Sequence, residues 1–105
     1  MNQKIGKADI HIHTIFSDGL MSPEALVEFV LFETNLDVIA VTDHDTIAGA
    51  RVAQAYVEYF KDTFRSLEVV VGSEVTSEDG DILALFVEED IPAGLSAAET
   101  VDLIH

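Results

Sequence analysis

The sequence has 105 residues, 49% of them apolar, which fits one small globular unit with a modest core. Its formal net charge is −15, with 20 acidic and five basic residues, which excludes an extended basic surface for direct nucleic-acid binding. Because the chain has no cysteine, disulfides and thiolate metal sites are excluded, and a metal would be held by His, Asp and Glu, which suit Zn, Mn, Fe or Mg.

The first predicted element is an apolar strand that begins at Ala8 and ends in a polar turn containing Asp18. Because successive side chains of a strand alternate between its two faces, His11 and His13 point to the same side. Two histidines on one face can bind one metal ion. An isolated pair fits ordinary core or surface histidines equally well.

A helix followed by a second strand comes next. Ser22 is a suitable N-cap and Pro23 fits the first helical position, so the helix should start here, reach about Glu33 and end near Asn35. The almost wholly apolar run of residues 36–42 predicts a strand buried on both faces. The order strand, helix, strand implies a parallel, right-handed crossover.

A second amphipathic helix is predicted after this strand. Its apolar positions follow helical spacing and are interpreted as core: Val52, Ala55, Tyr56, Tyr59 and Phe60.

The next feature is a hairpin. Residues 68–76 predict a third strand, and Asp79-Gly80 before another apolar run predicts an antiparallel fourth strand. The hairpin would place Asp81 at the same edge of the sheet as Glu74.

A third helix is predicted from the capping box of Ser96 and Glu99, with Val101 and Ile104 on its buried side. Because a domain seldom ends within so short a helix, we expect residues 1–105 to form a single domain that is the N-terminal part of a longer one. No apolar run is long enough to span a bilayer and no signal-type start is present, so we expect a cytoplasmic protein without membrane contacts.

Potential metal ligands follow each of the first three predicted strands. In parallel α/β folds, side chains at the carboxyl ends of the strands gather at one rim. So many carboxylates repel one another unless cations lie among them, and two divalent ions could clamp a phosphate ester. The candidates are His11, His13 and Asp18 after the first strand, Asp43, His44 and Asp45 after the second, and Glu74 in the third.

Each carboxylate also has an ordinary interpretation. Asp18 could belong to a simple turn, Asp45 could cap the second helix, and Glu74 could be a solvated strand end. The coincidence of all these signals at strand ends favours a metal site.

Three motifs in this chain resemble the first motifs of the PHP family, the polymerase and histidinol phosphatase domain. The resemblance implies a distorted, TIM-like β/α barrel of seven strands with a cluster of two or three metals at its rim. This α/β chain would form about the first half, with mostly parallel strands and a hairpin of the third and fourth. The motifs are His11-x-His13-Thr14-x-x-Ser17-Asp18-Gly19, Thr42-Asp43-His44-Asp45-Thr46 and Gly72-Ser73-Glu74.

The resemblance also implies roles for these residues. His11 and His13 would bind one divalent metal ion, and Glu74 would bridge it to a second. Asp18 and His44 would contribute to a further position, with Asp43 and Asp45 behind His44 to orient it. The resemblance also implies a metal-bound hydroxide as the nucleophile, and no side-chain nucleophile stands in a triad-like arrangement.

The chain departs from the family pattern at two places. Asp81 stands where the family often has a histidine, and as a metal ligand it would shift the preference from Zn towards Mn or Mg. Later family motifs, a histidine-proline pair and a late Asp-x-His, do not occur within the 105 residues.

We therefore expect a metal-dependent phosphoesterase for a nucleotide or another small phosphorylated substrate, with weak or no activity from these residues alone. The open edges of a half-barrel predict a homo-oligomer. The alternative is a non-catalytic acidic scaffold or interaction module with a vestigial metal site.

Overall fold

The computed structural model describes residues 6–105; residues 1–5, which the single-domain expectation included, lie outside the described residues. None of the helices in the described part is long and apolar enough to cross a membrane. The elements in chain order are β1 (Ala8–Ile12), α1 (Pro23–Glu33), β2 (Val38–Val41), α2 (Ala48–Val57), β3 (Glu68–Ser77), β4 (Gly80–Leu85) and α3 (Ala97–Ile104).

The four strands form one sheet in the order β1-β2-β3-β4. β1, β2 and β3 are parallel, whereas β4 pairs antiparallel with β3 from Ser77 opposite Gly80 to Gly72 opposite Leu85. The predicted parallel strands and the predicted hairpin are therefore confirmed. This topology brings the carboxyl ends of the first three strands to one rim.

The core lies between the sheet and the helices α1 and α2. In β2, Ile39, Ala40 and Val41 are buried, which confirms the strand predicted from this apolar run. Val27 of α1 and Ala53 of α2 are also fully buried. Because side chains alternate between the faces of a strand, the burial of these consecutive residues means that both faces of β2 are covered, as predicted.

α1 begins as the sequence predicts. The Ser22 hydroxyl accepts a hydrogen bond from the backbone N–H of Ala25 at 3.0 Å, and Pro23 is the first helical residue. The helix ends at Glu33 with Thr34 at the C-cap, one residue before the predicted stop at Asn35.

The predicted core face of α2 is wrong in part. Tyr59 lies beyond the end of the helix and is 74% exposed, and Ala55 is also exposed. The buried face instead carries small residues, including Gly49, Ala50 and Ala53. Small side chains allow the helix to approach the sheet closely, while the predicted core residues Tyr56 and Phe60 are partly buried against the core.

α3 has the predicted capping box, in which Ser96 and Glu99 bond reciprocally. The sequence predicts Val101 and Ile104 on the buried side of α3, and this prediction is wrong for Val101. Thr100 is fully buried and Ile104 packs partly against the core, whereas Val101 is 39% exposed. The Thr100 hydroxyl donates to the Ser96 carbonyl at 2.9 Å, which satisfies this buried polar group within the helix.

The Arg65 guanidinium closes the C-terminal end of α1, and sequence reasoning did not find this role. It donates to the carbonyls of Val30 (2.9 Å), Leu31 (3.3 Å), Thr34 (3.1 Å) and Leu36 (2.7 Å). The last carbonyls of a helix have no partners within the helix, and a planar guanidinium can serve several of them at once.

We expect Arg65→Ala to lower the free energy of unfolding by about 2–3 kcal/mol, since charge-assisted hydrogen bonds are lost from a partly buried helix end. Lysine cannot reach four carbonyls, so Arg65→Lys should restore little. Urea denaturation measures the change. Lys61→Ala, which removes an exposed pair with Glu58, is the control and should change little. Equal effects of Arg65→Ala and Lys61→Ala would contradict the capping role.

Candidate metal centre

Three overlapping groups of imidazoles and carboxylates meet at the rim. In each group, one potential ligand atom from every member lies within 4.8 Å of the others. All six residues predicted as metal ligands are thus brought together by strands that are distant in the sequence. The groups are His11, His13 and Glu74; His13, Asp18 and His44; and His44, Glu74 and Asp81.

His11 of β1 and His13, which directly follows Ile12 at the end of β1, both lie against Glu74 of β3. The Nε2 atoms of His11 and His13 contact the same carboxylate oxygen, Oε1 of Glu74, with His13 at 3.1 Å. The two imidazoles therefore lie on the same side of β1, as the alternation of strand side chains predicts. Glu74 is buried, whereas the His11 side chain is 55% exposed.

The loop after β1 brings Asp18 to the other side of His13. The Nδ1 atom of His13 lies 2.7 Å from Oδ1 of Asp18, and Nε2 of His44 lies 3.4 Å from Oδ2 of Asp18. The loop turns tightly because the Thr14 carbonyl accepts from two backbone amides. A Cβ at Gly19 would lie 2.3 Å from the His13 carbonyl oxygen, so this position requires glycine.

Asp43 is fully buried and binds the β1–α1 loop. Its Oδ1 accepts from the Thr14 amide at 2.6 Å and the Ser17 hydroxyl at 2.7 Å, and its Oδ2 accepts from the Thr14 hydroxyl at 2.7 Å. The hydrogen bonds of its carboxylate in the described structure therefore go to the neighbouring loop and not to the His44 ring.

Asp45 directly follows His44 in the chain and has a positive φ of 58°. Its carboxylate accepts from the Thr76 amide at 2.7 Å and the Thr76 hydroxyl at 2.8 Å. The alternative interpretation of Asp45 as the N-cap of α2 is wrong, because that position is occupied by Ile47. The bonds of Asp45 instead fasten the segment after β2 to β3.

This segment extends the parallel pairing beyond β2. The Glu74 amide donates to the Asp43 carbonyl at 2.9 Å, and the Asp45 amide donates to the Glu74 carbonyl at 3.1 Å. His44 is consequently held beside Glu74, with its Nδ1 at 3.5 Å from Oε2.

Gly49 is part of the site architecture that sequence reasoning missed. A Cβ at this position would lie 2.4 Å from Oδ2 of Asp43 and 2.6 Å from the hydroxyl of Thr14. Only glycine lets the first turn of α2 approach this pair of side chains. The available signal was a glycine at the start of a helix that directly follows a rim segment.

The carboxylates of the rim have opposite pKa shifts. Burial raises the pKa of the Glu74 carboxyl, but hydrogen bonds with His11, Asp81 and His13 more than offset this, and the net pKa lies below its ordinary value. The pKa of Asp81 is raised, mainly by its hydrogen bond with Glu74 and then by partial desolvation. The contact between the two carboxyls therefore favours the ionised form of Glu74 and disfavours the ionised form of Asp81.

Asp18 also ionises readily. Partial desolvation raises the pKa of its carboxyl, but the hydrogen bond with His13 and the charges of His13 and His44 lower it below the ordinary value of an aspartate. An anionic Asp18 beside two imidazoles is suited to bind a cation.

The donor set fits divalent cations. Both ring nitrogens of His13 face carboxylate oxygens, those of Asp18 and Glu74, and both nitrogens of His44 face the same two residues. A neutral imidazole carries only one N–H, so its other nitrogen would direct a lone pair at a carboxylate. A cation between such atoms removes this conflict, and nitrogen and oxygen ligands suit Zn, Mn and Fe.

We expect Asp81→Asn to raise the melting temperature of the metal-free chain near pH 7. The folded-state pKa of Asp81 is raised, so its stabilising contribution is present at low pH and is lost as the pH rises through that pKa. Asparagine stays neutral and can still donate to Glu74. Below the unfolded pKa of about 3.9 the difference should vanish.

Thermal unfolding in EDTA from pH 3.5 to 7.5 measures this effect. Asp62→Asn removes the same charge from an exposed position and is the control. A parallel increase for both variants at pH 7 would show that net charge, rather than the contact between Asp81 and Glu74, is responsible.

Comparison with known proteins found a matching family model and several similar proteins. The family model of the PHP domain matches residues 9–99. The chain is 37% identical to the uncharacterized protein MJ1587 of Methanocaldococcus jannaschii, over 93% of this chain and 60% of that protein. It is 36% identical to the 5'-3' exoribonuclease Rnm of Salmonella typhimurium, over 66% of this chain and 22% of that protein.

A solved structure is also similar. The crystal structure of a proposed metal-dependent phosphoesterase from Bifidobacterium adolescentis matches with a TM-score of 0.61 and 35% identity, over 80% of this chain and 28% of that chain. The chain belongs to the PHP family, and its α/β fold is a partial PHP-type barrel with mostly parallel strands. It spans 60% or less of the length of each of these three proteins.

Proposed function

We propose that this chain forms part of a metal-dependent phosphoesterase. The observation that carries the proposal is the convergence of three overlapping ligand groups at the rim. His13, His44 and Glu74 each belong to two of the groups, so neighbouring metal ions would share ligands. This arrangement suits a cluster rather than a single ion.

The six side chains would hold the metal ions, which would neutralise phosphate charge and activate water when bound. His11, His13 and Glu74 would bind one ion, with Asp18 and His44 contributing to a further position. Asp81 supplies a hard oxygen ligand in the group with His44 and Glu74, so we propose a preference for Mn or Mg over Zn there.

The proposed substrate is a phosphate ester such as a nucleotide or a small phosphomonoester. The names of the exoribonuclease and the proposed metal-dependent phosphoesterase support this substrate class. With a net charge of −15, the chain would depend on bound cations to attract a phosphate. We propose that residues 1–105 are a single domain, the N-terminal portion of a PHP domain, with weak or no turnover alone. The cytoplasmic location stays a prediction.

Calorimetric titration with AMP tests the proposal. We expect AMP to bind the chain in the presence of Mn²⁺ but not in EDTA, and Glu74→Gln to abolish the metal-dependent binding. Release of inorganic phosphate is followed in the same samples and should be slow. Binding of AMP that is equal with and without metal would contradict the proposal, as would no binding with metal.

An interaction module is the second candidate, and an exposed aromatic surface favours it. Phe32, Phe64 and Tyr59 are 50%, 54% and 74% exposed, and the rings of Phe32 and Phe64 lie 4.9 Å apart. Exposed aromatic clusters are characteristic of contact surfaces. This candidate would be favoured if the chain bound neither metal nor phosphate.

We further propose that the chain self-associates through its sheet edges. All but the last residue of the edge strand β1 are exposed, and Ile10 is 50% exposed. Sedimentation velocity should show a concentration-dependent dimer or larger species. Ile10→Lys should reduce this association, whereas a wild-type monomer at high concentration would contradict it.

A further inference from the structure

The buried carboxylate of Asp43 joins two loops of the rim. Asp43 lies two residues after the end of β2, whereas its partners Thr14 and Ser17 belong to the β1–α1 loop. Three hydrogen bonds of 2.6–2.7 Å therefore fix this loop against the end of the neighbouring strand. A buried carboxylate with well-formed bonds holds its partners in one geometry.

Asp18 depends on the position of this loop. It follows Ser17 directly, and its side chain is 64% exposed. The side chain forms a hydrogen bond with His13 and lies 3.4 Å from Nε2 of His44. We infer that Asp43 is a positioning residue that holds Asp18 in the group with His13 and His44. The inference rests on the proposed function, because it concerns the same site.

The other ligand group of β1 has separate supports. The Thr42 amide donates to the Ile12 carbonyl at 2.7 Å, which anchors the end of β1 before the loop starts. His11 and His13 then reach Glu74, which the β3 ladder holds. Loss of the Asp43 bonds should therefore disturb the Asp18 group more than the His11 group.

Gly49 contributes to the same support of the β1–α1 loop. Its missing side chain leaves the space in which Asp43 and Thr14 meet, and a methyl group would overlap both. Gly49→Ala should therefore loosen the loop from the opposite side, without removing any polar group.

Equilibrium dialysis with Mn²⁺ tests the inference by resolving the equivalents bound per chain. We expect Asp43→Ala to weaken one equivalent about 10- to 100-fold, as is typical when a partner of a ligand is lost, and to leave another within about threefold. Asp43→Asn keeps an oxygen for Thr14 and Ser17 and should restore most of the lost affinity. Ser22→Ala weakens the start of α1 outside the site and should change neither equivalent.

Equal weakening of all equivalents, or wild-type binding in Asp43→Ala, would overturn the inference. Amide hydrogen exchange of the metal-free chain supplies a second test. Asp43→Ala and Gly49→Ala should accelerate exchange at Ser17 and Gly19, while Asp43→Asn should have a much smaller effect. Unchanged exchange in Asp43→Ala and Gly49→Ala would also overturn the inference.

Failure of the proposed function would look different. A wild-type chain that binds no Mn²⁺ contradicts the metal centre, while the exchange measurement still decides whether Asp43 fixes the loop. If Asp43→Ala does not fold, the variant Ser17→Ala takes its place in both tests, because it removes only the hydrogen bond from Ser17 to Asp43. Faster exchange at Gly19 in Ser17→Ala would support the inference, and wild-type exchange would contradict it.

Discussion

Excess Mn²⁺ should raise the melting temperature of the wild-type chain, and Glu74→Gln should remove most of that increase. A ligand that binds only the folded state at 100 times its dissociation constant adds about 2.7 kcal/mol of stability. For a chain of this size, that corresponds to an increase of about 10 °C or more. A large effect is expected because Glu74, like His13 and His44, belongs to two of the three ligand groups and is the buried member of both of its groups.

The comparison requires a control for charge. Glu78→Gln removes the same charge from an exposed position outside the three ligand groups and should keep the full Mn²⁺ response. His11→Asn should lose less than Glu74→Gln, since His11 belongs to one group only. Identical melting temperatures of the wild type in chelator and in Mn²⁺ would show that the rim binds no metal.

Gly72→Ala should destabilise the fold by about 2–3 kcal/mol, as is typical of added volume in a tightly packed interior. A Cβ at Gly72 would lie 2.6 Å from the Ala84 carbonyl oxygen and 3.0 Å from Cγ2 of Thr42. The first contact is with backbone of the paired strand, so relief requires β3 and β4 to separate. Because β4 carries Asp81, the contact of Asp81 with Glu74 should also weaken.

Urea denaturation measures this loss as a lower midpoint with an unchanged slope. Gly6→Ala is the matched control, since its nearest contact, Oδ2 of Asp37 at 3.6 Å, is ordinary van der Waals distance. If the midpoints of Gly72→Ala and Gly6→Ala both equal that of the wild type, the close approach of β4 at Gly72 is wrong.

The sheet and the rim could be predicted because their signals are local. The β-branched run of β2 indicates a buried strand, and Asp79-Gly80 supplies the turn that makes β4 antiparallel. Once β1, β2 and β3 are parallel, topology alone brings His11, His44 and Glu74 to one rim. The six candidate ligands therefore followed from strand order and family motifs without knowledge of side-chain packing.

The partners that support the site could not be predicted in the same way. Asp43 bonds to Thr14, 29 residues away, and this pairing depends on how two loops meet. The pattern of apolar residues in α2 also favoured Tyr59 for the core, although close packing against the sheet selects smaller residues such as Ala53. Such choices depend on the distance between elements, which periodicity does not encode.

Arg65 illustrates the same difficulty for polar groups. Its position after α2 suggests a solvated side chain, yet it serves the carbonyls at the end of α1. A long cation can reach several elements, and its sequence position does not say which one. Tertiary hydrogen bonds of this kind appear only in the folded structure.

The most direct test of the metal centre is elemental analysis of bound metal per chain, after stripping with chelator and reloading with Mn, Zn or Fe. We predict at least one tightly held equivalent in the wild type and its loss in the double variant His11→Asn/Glu74→Gln, with both proteins folded. A reloaded wild-type chain that retains no metal, or a double variant that retains as much as the wild type, would contradict the assignment of this rim as a metal centre.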